Sequence, residues 1–250
     1  MTFDGLTPDW LKETYLYRIP ISYDNDFLTD DVLNFYINSA KNQAEILLGI
    51  DIDKHVDNQE RHDYRLEEWT SGYGFLQMYR RPCIKVKSLA LNVITSTIEI
   101  PQEWIQLKKK TSQLQLIPYY GILASAAIGN QLIMFLPLLS STTYVPQIIL
   151  VKYDSGFEPS DELPGALAQL IGNLAASGVL AVLGEIALGG QAALAGYSIG
   201  VDGLSQSVST TLSAENHAYS ARTRQYEREN QNLVKLLKDF YYGIRMAALA

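Results

Sequence analysis

The sequence predicts an α+β protein in which helices at both ends flank an inserted small antiparallel β domain and the final helix is long. Apolar residues recur at helical spacing near both ends, and they alternate or run continuously in short proline-bounded segments between them. A nearly uncharged stretch follows these segments. The predicted sections are 1–60 (N-terminal helices), 61–154 (β-rich insert), 155–203 (small-residue core helices) and 204–250 (polar arm and C-terminal helix, one structural unit with 1–60).

Two helices are predicted in the first section. Thr7 before Pro8 is a capping residue followed by a proline at the first helical position. Thr29-Asp30-Asp31 starts a longer helix, and Gly49 ends it. The residues predicted to share the buried face of this helix are Val32, Phe35, Tyr36, Ser39, Ala40, Ala44, Leu47 and Leu48.

Short strands punctuated by prolines are predicted in the second section. They are Tyr73–Tyr79, Ile84–Leu91, Val93–Ile100, Gln113–Tyr119, Gln131–Leu136 and Gln147–Tyr153. Lys108-Lys109-Lys110 is predicted to be a solvated turn between strands, with a site for an anionic partner as the alternative. Lys85 and Lys87 alternate with apolar residues. That pattern predicts the exposed face of an edge strand, or alternatively a subunit contact.

The stretch Leu163–Val201 has 39 residues and one charged side chain, Glu185. Its first 22 residues are uncharged and long enough to cross a bilayer. Gln169, Asn173 and Ser177, however, repeat every four residues and place a polar stripe on one helix face, which is costly in lipid. No lysine or arginine stands nearby to fix an orientation. The sequence therefore favours a tightly packed helix of a soluble assembly over a membrane span.

Glycines shape the same stretch. Those within the first predicted helix lower its intrinsic stability but let neighbouring backbones approach closely. They are Gly165, Gly172, Gly178 and Gly184. The Gly189-Gly190 pair predicts a break, followed by a second helical piece from Gln191 to about Ser198.

The last section begins with the Ser/Thr-rich run Ser205–Ser213, which predicts a loop or an extended arm. A long helix is predicted from about Ala214 to Met246. Tyr219, Tyr226, Leu233 and Phe240 recur in it every seven residues, joined by Leu237 and Ile244. This seam either packs on its own subunit or forms an intersubunit contact.

Composition indicates a folded globular protein. The chain has 250 residues, of which 47% are hydrophobic and 19% charged. Cys83 is the single cysteine, so no intrachain disulfide can form, which fits a reducing compartment. The first residues lack the cationic and apolar regions of a signal peptide. The net charge of −7 argues against a surface that grips nucleic acid and suits one past which DNA slides.

The motifs of catalysis and cofactor binding are missing from the sequence: it has no glycine-rich phosphate loop, Cys-pair zinc signature, nucleophile elbow or HExxH. Asp51-x-Asp53-x-His55 has the opening rhythm of a calcium loop. Val56, however, occupies the place of the turn glycine, and His62 that of the bidentate glutamate. Residues 51–63 are therefore predicted to be a solvated connector between helix and sheet, with metal binding as the alternative. We expect no enzymatic activity, no cofactor and no metal.

Several motifs follow one another in a recognisable order. Thr29-Asp30-Asp31 leads into Asn38-Ser39-Ala40, an acidic start followed by a helix with alanines. Arg81–Leu89 is similar to a Pro-Val-x-x-Val-x-Ser strand. Val151–Phe157 carries Tyr-x-x-Gly-Phe, and Asp161-Glu162-Leu163-Pro164 follows it after three residues. Together they resemble the longer members of the head–tail connector (adaptor, or head-completion) family of tailed bacteriophages.

This resemblance covers about Thr7 to Ser177 and leaves Gly200–Ala250 as an extension. It implies a virion structural protein with a helical core, one subunit of a ring of typically twelve. Such a ring docks on the portal, extends the DNA channel and offers the attachment surface for the next neck or tail component. The implied location is the virion neck, between capsid portal and tail, after assembly in the host cytoplasm.

The implied partners are other copies of the chain, the portal protein and a tail or neck completion protein. Double-stranded DNA would pass without specific binding, and no membrane is involved. One alternative is a different neck or tail-completion protein, and a further one is a membrane-inserting protein.

Two groups of residues are predicted to lie at a subunit or portal interface: the polar stripe and the C-terminal seam. They are Gln169, Asn173, Ser177, Tyr219, Tyr226, Leu233, Phe240, Tyr241 and Ile244. Ser205–Ala250 as a whole is expected to reach a neighbouring subunit or the portal.

Overall fold

The computed structural model describes residues 2–17, 19, 28–65, 74–93, 96–116, 143–188, 197–201, 204–208 and 219–242. Its helices are α1 (Pro8–Thr14), α2 (Asp30–Leu48), α3 (Gly165–Leu188) and α4 (Ser220–Tyr242). Its strands are β1 (His55–Arg65), β2 (Gly74–Gln77), β3 (Cys83–Val93), β4 (Ser96–Glu99), β5 (Ile105–Lys108), β6 (Gln113–Leu116), β7 (Tyr144–Ser155), β8 (Tyr197–Val201) and β9 (Leu204–Val208). This mixture of helices and antiparallel sheets, with a long C-terminal helix, confirms the predicted fold class.

The chain divides into two compact units. The first comprises Met1–Leu48 and Pro159–Leu237. It contains α1, α2, α3 and most of α4. The second comprises Gly49–Glu158 and Lys238–Ala250, and it contains β1 to β7 and the last turn of α4.

The helix boundaries follow the local signals predicted from sequence. The Thr7 hydroxyl accepts a hydrogen bond from the Trp10 amide at 3.2 Å, which caps α1. The Thr29 hydroxyl accepts one from the Val32 amide at 3.4 Å at the start of α2. Gly49 ends α2 with a φ of +67°, a left-handed conformation that glycine adopts without steric cost.

The buried face of α2 differs from the predicted one. Leu33 and Ile37 are buried together with Ala40, Ala44 and Leu48. The predicted Phe35 and Leu47 are exposed instead. The error is a rotation of the apolar stripe: large apolar residues lie on two faces of α2, and the spacing alone does not say which face packs.

The second unit is built on two antiparallel sheets. The larger has the strand order β1-β7-β3-β4, and the smaller has the order β2-β6-β5. Leu89, Leu114, Ile149, Val151 and Tyr153 are fully buried in its core. The turn at residues 109–112 joins β5 to β6 and exposes Lys109 and Lys110, which confirms the predicted solvated turn.

The predicted connector at 51–63 is wrong, because most of it is strand β1. This strand pairs with β7 from His55↔Ser155 to Arg65↔Tyr144. Its side chains are mostly polar and exposed, so it lacks the apolar alternation by which strands are recognised. Pairing with the buried strand β7 holds it in the sheet.

Strand β3 carries the predicted alternation of lysines. Lys85 and Lys87 are exposed, whereas Ile84 and Val86 are half-buried. From Ala90 onward β3 pairs with β4 on one side, and along its length it pairs with β7 on the other. Lys85 and Lys87 therefore stand on the part of β3 that pairs with β7 alone, as the edge-strand prediction expects, and only Ala90 and Leu91 pair with both β4 and β7.

The segment Gly165–Gly184 of helix α3 is long and apolar enough to cross a membrane, by length and composition only. In the folded chain, 61% of this segment is buried. The helix ends at Leu188, directly before Gly189-Gly190. The predicted end of the second helical piece at about Ser198 is wrong, because Tyr197–Val201 is a strand paired with Leu204–Val208. Asp202-Gly203, between these strands, is a two-residue hairpin signal that the prediction overlooked.

Several predictions fall wholly or partly outside the described residues. Among them are the strand Gln131–Leu136, most of the helical piece from Gln191, the end of the arm beyond Val208, both ends of the helix Ala214–Met246 and the contact of Ile244.

Candidate interaction site

The polar stripe of α3 meets α4 inside the first unit. Asn173 is 1% exposed, and its amide nitrogen donates to Glu229 Oε2 at 3.3 Å and to Asn230 Oδ1 at 3.1 Å. Ser177 donates to the Asn173 carbonyl at 2.7 Å. Gln169 is exposed. One member of the stripe thus fixes the position of α4, and another remains on the surface.

An aromatic cluster lies beside this contact. Tyr15 makes edge-to-face contacts with Trp10, at 5.2 Å between ring centroids, and with Tyr226, at 6.2 Å. The Tyr226 hydroxyl donates to the Tyr15 carbonyl oxygen at 3.4 Å and accepts from Arg222 Nε at 2.9 Å. Burial, together with the nearby Tyr226 and Glu229, raises the pKa of Tyr15 to about 12.

Two glycines of α3 accommodate tyrosine rings. A Cβ at Gly172 would lie 2.2 Å from Tyr15 Cζ, and a Cβ at Gly178 would lie 2.7 Å from Tyr36 Cδ1. Gly165 has open space around it. The sequence predicted close approach at these glycines, but side-chain rings from α1 and α2, not backbones, occupy the space.

The other members of the seam differ in exposure. Tyr226 is buried, whereas Tyr219 and Leu233 are half-buried in the first unit. In the second unit, Tyr241 is 2% exposed and Phe240 is 39% exposed. Tyr226 therefore packs within its own chain, and Gln169 and Phe240 are the most accessible of the predicted interface residues that the structure describes.

In the second unit, two cationic side chains pack on aromatic rings of the last turn of α4. Lys110 Nζ lies 3.1 Å from the centroid of the Phe240 ring, and the Arg81 guanidinium lies 4.1 Å from that of Tyr242. The Tyr242 hydroxyl donates to the Gly49 carbonyl oxygen at 3.0 Å.

The Tyr-x-x-Gly-Phe motif at the end of β7 holds a buried polar network. The Tyr153 hydroxyl donates to Glu60 in a short hydrogen bond and accepts from the Arg80 amide at 3.1 Å. The Glu60 carboxylate also accepts from the Tyr79 amide at 3.1 Å and contacts His62 Nε2 at 3.1 Å. Burial raises the pKa of Glu60, but these hydrogen bonds outweigh it and leave that pKa below its ordinary value.

Asp154 in the same motif is buried against cations. Its carboxylate lies 2.8 Å from Lys87 Nζ and 3.8 Å from Lys85 Nζ, and it accepts from the Asp57 amide at 2.9 Å. Burial raises the pKa of Asp154, but the Lys87 and Asp57 contacts prevail and hold it below 3.8.

We expect Asp154→Asn to lower the free energy of unfolding by about 2 kcal/mol at pH 7, because a buried charge-assisted contact is lost. The pKa of Asp154 is depressed in the folded state. Its contribution is therefore present above the unfolded pKa and is lost as the pH falls through the folded one. Urea denaturation at pH 7 and at pH 3 measures this, and the difference between wild type and variant should shrink at pH 3. An equal difference at both pH values would contradict the ionic role.

Asn173→Ala should cost about 2 kcal/mol of stability, because it removes the two hydrogen bonds that the buried Asn173 amide donates to Glu229 and Asn230 of α4. Gln169→Ala, one turn away on the same stripe, is the matched control and should change stability by less than about 0.5 kcal/mol. Chemical denaturation of both variants measures the contrast. Equal losses would show that Asn173 does not hold α4.

Among the described residues, no three His, Cys, Asp or Glu side chains converge as a set that could hold a metal ion. Burial raises the pKa of the Cys83 thiol to about 12.

Sequence reasoning missed the network around Glu60. The signal available was the Tyr-x-x-Gly-Phe motif itself, since a tyrosine in a strand buried on both faces needs a partner for its hydroxyl. The partner stands 93 residues away in β1. That strand was not predicted.

No family model and no curated protein matches the chain. Among solved structures, it is similar to a chain in the neck of an empty gene transfer agent (GTA) particle computed with C6 symmetry, with 14% identity and a TM-score of 0.38. It is also similar to a chain in the virion of a native gene transfer agent particle, with 16% identity and a TM-score of 0.38. Each match covers 70% of this chain and 79% of the other. At this TM-score the likeness carries no conclusion about fold or function.

Proposed function

We propose that this chain is a structural component of a virion neck: a head–tail connector subunit. It assembles into a ring, docks on the portal, extends the DNA channel and offers the attachment surface for the next neck or tail component. In this role it is not an enzyme.

The observation that carries the proposal is that defining residues of the Tyr-x-x-Gly-Phe and Leu-Pro motifs make specific contacts in the fold. Tyr153 anchors the buried Glu60 network. Gly156 has a φ of +97° and lies against the Asp53 carbonyl. The Phe157 amide donates a hydrogen bond to the Ile52 carbonyl oxygen at 3.3 Å. Because these residues make specific contacts, the motif has a defined structural role in the second unit.

The Leu-Pro motif before α3 also makes specific contacts, in the first unit. Leu163 is 5% exposed, and the Pro164 carbonyl accepts from the Leu167 amide at 2.8 Å at the start of the helix. The Phe3 amide donates to the Asp161 carbonyl at 3.1 Å, which joins the N-terminal segment to this lead-in.

The charge of the chain supports passage of a polyanion. A net charge of −7 disfavours tight contact with DNA phosphates, as a channel that DNA must traverse requires.

Negative-stain imaging with mass measurement, on the purified chain alone and mixed with portal rings of the same virus, tests the proposal. We expect rings, or portal assemblies extended by an added layer of this chain. A chain that stays monomeric and unbound in both samples would overturn it. A third sample, with tail components in place of portal rings, tests the alternative: binding there but not to portal would favour a tail-completion protein.

A further inference from the structure

Helix α2 turns an uncharged face to solvent. After Asp31 its exposed residues are all uncharged, and they include Phe35 at 67% and Ile46 at 82% exposure. These two lie eleven residues apart, which places them within about 20° of one line along the helix. Asn38 and Asn42 stand between them. A solvated helix face ordinarily carries charged side chains, whereas the centre of a protein interface is depleted in them.

The N-terminal end of this face is acidic. Asp9 and Asp30 have side chains that are 80% and 65% exposed, and Glu13 and Asp31 are exposed beside them. Lys12 pairs with Asp30 at 2.6 Å and with Asp9 at 3.5 Å. Among the described residues of this end, one cation stands against four carboxylates, an excess of negative charge.

The exposed face of α4 in the first unit has the opposite charge. Arg224, Arg228 and Lys235 are exposed along it, against one exposed carboxylate, Glu227. Leu236 is 59% exposed about 80° around the helix from Arg228. Helix α4 thus presents exposed cations and an exposed leucine to solvent, where the α2 face presents carboxylates and apolar residues.

These two faces lie on different sides of α3. Tyr36 of α2 packs at Gly178, and Glu229 of α4 bonds to Asn173. Positions 173 and 178 are about 140° apart around a helix of 3.6 residues per turn. A neighbouring copy therefore cannot cover both the α2 face and the α4 face of this chain with a single contact surface.

We propose that the α2 face of one copy of this chain docks on the α4 face of the next. This inference rests on the proposed function and names the contact that builds the ring. Two different, complementary faces make a heterologous contact, and repetition of a heterologous contact closes a ring when the rotation allows it. Phe35 and Ile46 form the apolar centre, and the carboxylates near Asp30 meet the cations near Arg228.

Cysteine crosslinking tests the pairing in the assembled state described above. Single variants Ile46→Cys and Leu236→Cys, and the double variant, are treated with a short bismaleimide after assembly. Wild type is the control, since Cys83 is buried. We expect a ladder of dimers, trimers and larger species from the double variant, dimers only from a mixture of the two single variants, and none from either single variant alone.

Each other result overturns the inference. An assembled double variant without a ladder shows that other surfaces form the ring, while the proposed function stands. Dimers from Ile46→Cys alone show that two α2 faces pair with each other. A chain that assembles under no condition overturns both the inference and the proposed function.

Lysine substitutions supply an independent measurement. Phe35→Lys with Ile46→Lys should weaken assembly at least tenfold without changing the circular dichroism or the melting temperature of the monomer, because both side chains are exposed. Val56→Lys, at an exposed apolar residue of β1, is the control and should assemble as wild type does. Unchanged assembly of the α2 variant would contradict the proposal.

Discussion

Gly156→Ala is expected to lower the free energy of unfolding by about 3 kcal/mol or more. Gly156 has a φ of +97°, a region that residues with a Cβ rarely occupy. A Cβ there would lie 2.2 Å from the Asp53 carbonyl oxygen and 2.8 Å from its carbon. Both are backbone atoms, so neither can rotate aside as a side chain could. The β7 terminus and the segment before β1 would have to separate.

Urea denaturation followed by tryptophan fluorescence measures this loss. Gly165→Ala is the matched control, because a Cβ at that position meets nothing within 4 Å. The control should match wild type or exceed its stability, since alanine favours a helix by up to about 1 kcal/mol over glycine. Similar losses in both variants would mean that glycine at 156 has no special role.

Gly172→Ala should cost about 2 to 3 kcal/mol, even though alanine is the better helix former. The added methyl carbon would lie 2.2 to 2.6 Å from three atoms of Tyr15. That ring is wedged between Trp10 and Tyr226 and cannot swing away without breaking the aromatic cluster. To accommodate the added methyl group, α1 and α4 would have to move away from α3.

A double-mutant cycle with Tyr15→Leu isolates this clash. In the Tyr15→Leu background, Gly172→Ala should cost less than half of what it costs in wild type, because the ring that blocks the methyl group is gone. Thermal denaturation of the four proteins gives the coupling energy. Additive losses would place the cause of the destabilisation elsewhere on α3.

Local signals explain what was predictable in this fold. Thr7 and Thr29 cap their helices, and Gly49 ends α2 in a left-handed conformation. Each depends on a residue and its immediate neighbours along the chain. For the same reason the lysine turn between β5 and β6 was identified correctly.

Long-range packing explains what was not predictable. β1 is polar, and its place in the sheet is set by pairing with β7, roughly ninety residues along the chain. The buried face of α2 was misjudged because Phe35 and Leu47 are as apolar as the residues that pack. If the α2 face is an assembly surface, that ambiguity has a physical origin: the helix has to serve a core and an interface at once.

The predicted interface residues illustrate the same limit. The seven-residue spacing of Tyr219, Tyr226 and Leu233 correctly marks one face of α4, but spacing cannot say whether the partner is the same chain or another. Asn173 and Tyr226 have partners within the chain. Gln169 and Phe240 keep accessible surface and stay predicted contacts of the proposed ring.

The position of the chain in the particle tests the central claim most directly. An affinity tag on the C-terminus, labelled with gold and imaged on purified virions of the source virus, would locate it. The account predicts label at the single portal vertex, between capsid and tail, and nowhere else on the shell. Label spread over the capsid or along the tail, or its absence from virions that contain all other structural proteins, would contradict it.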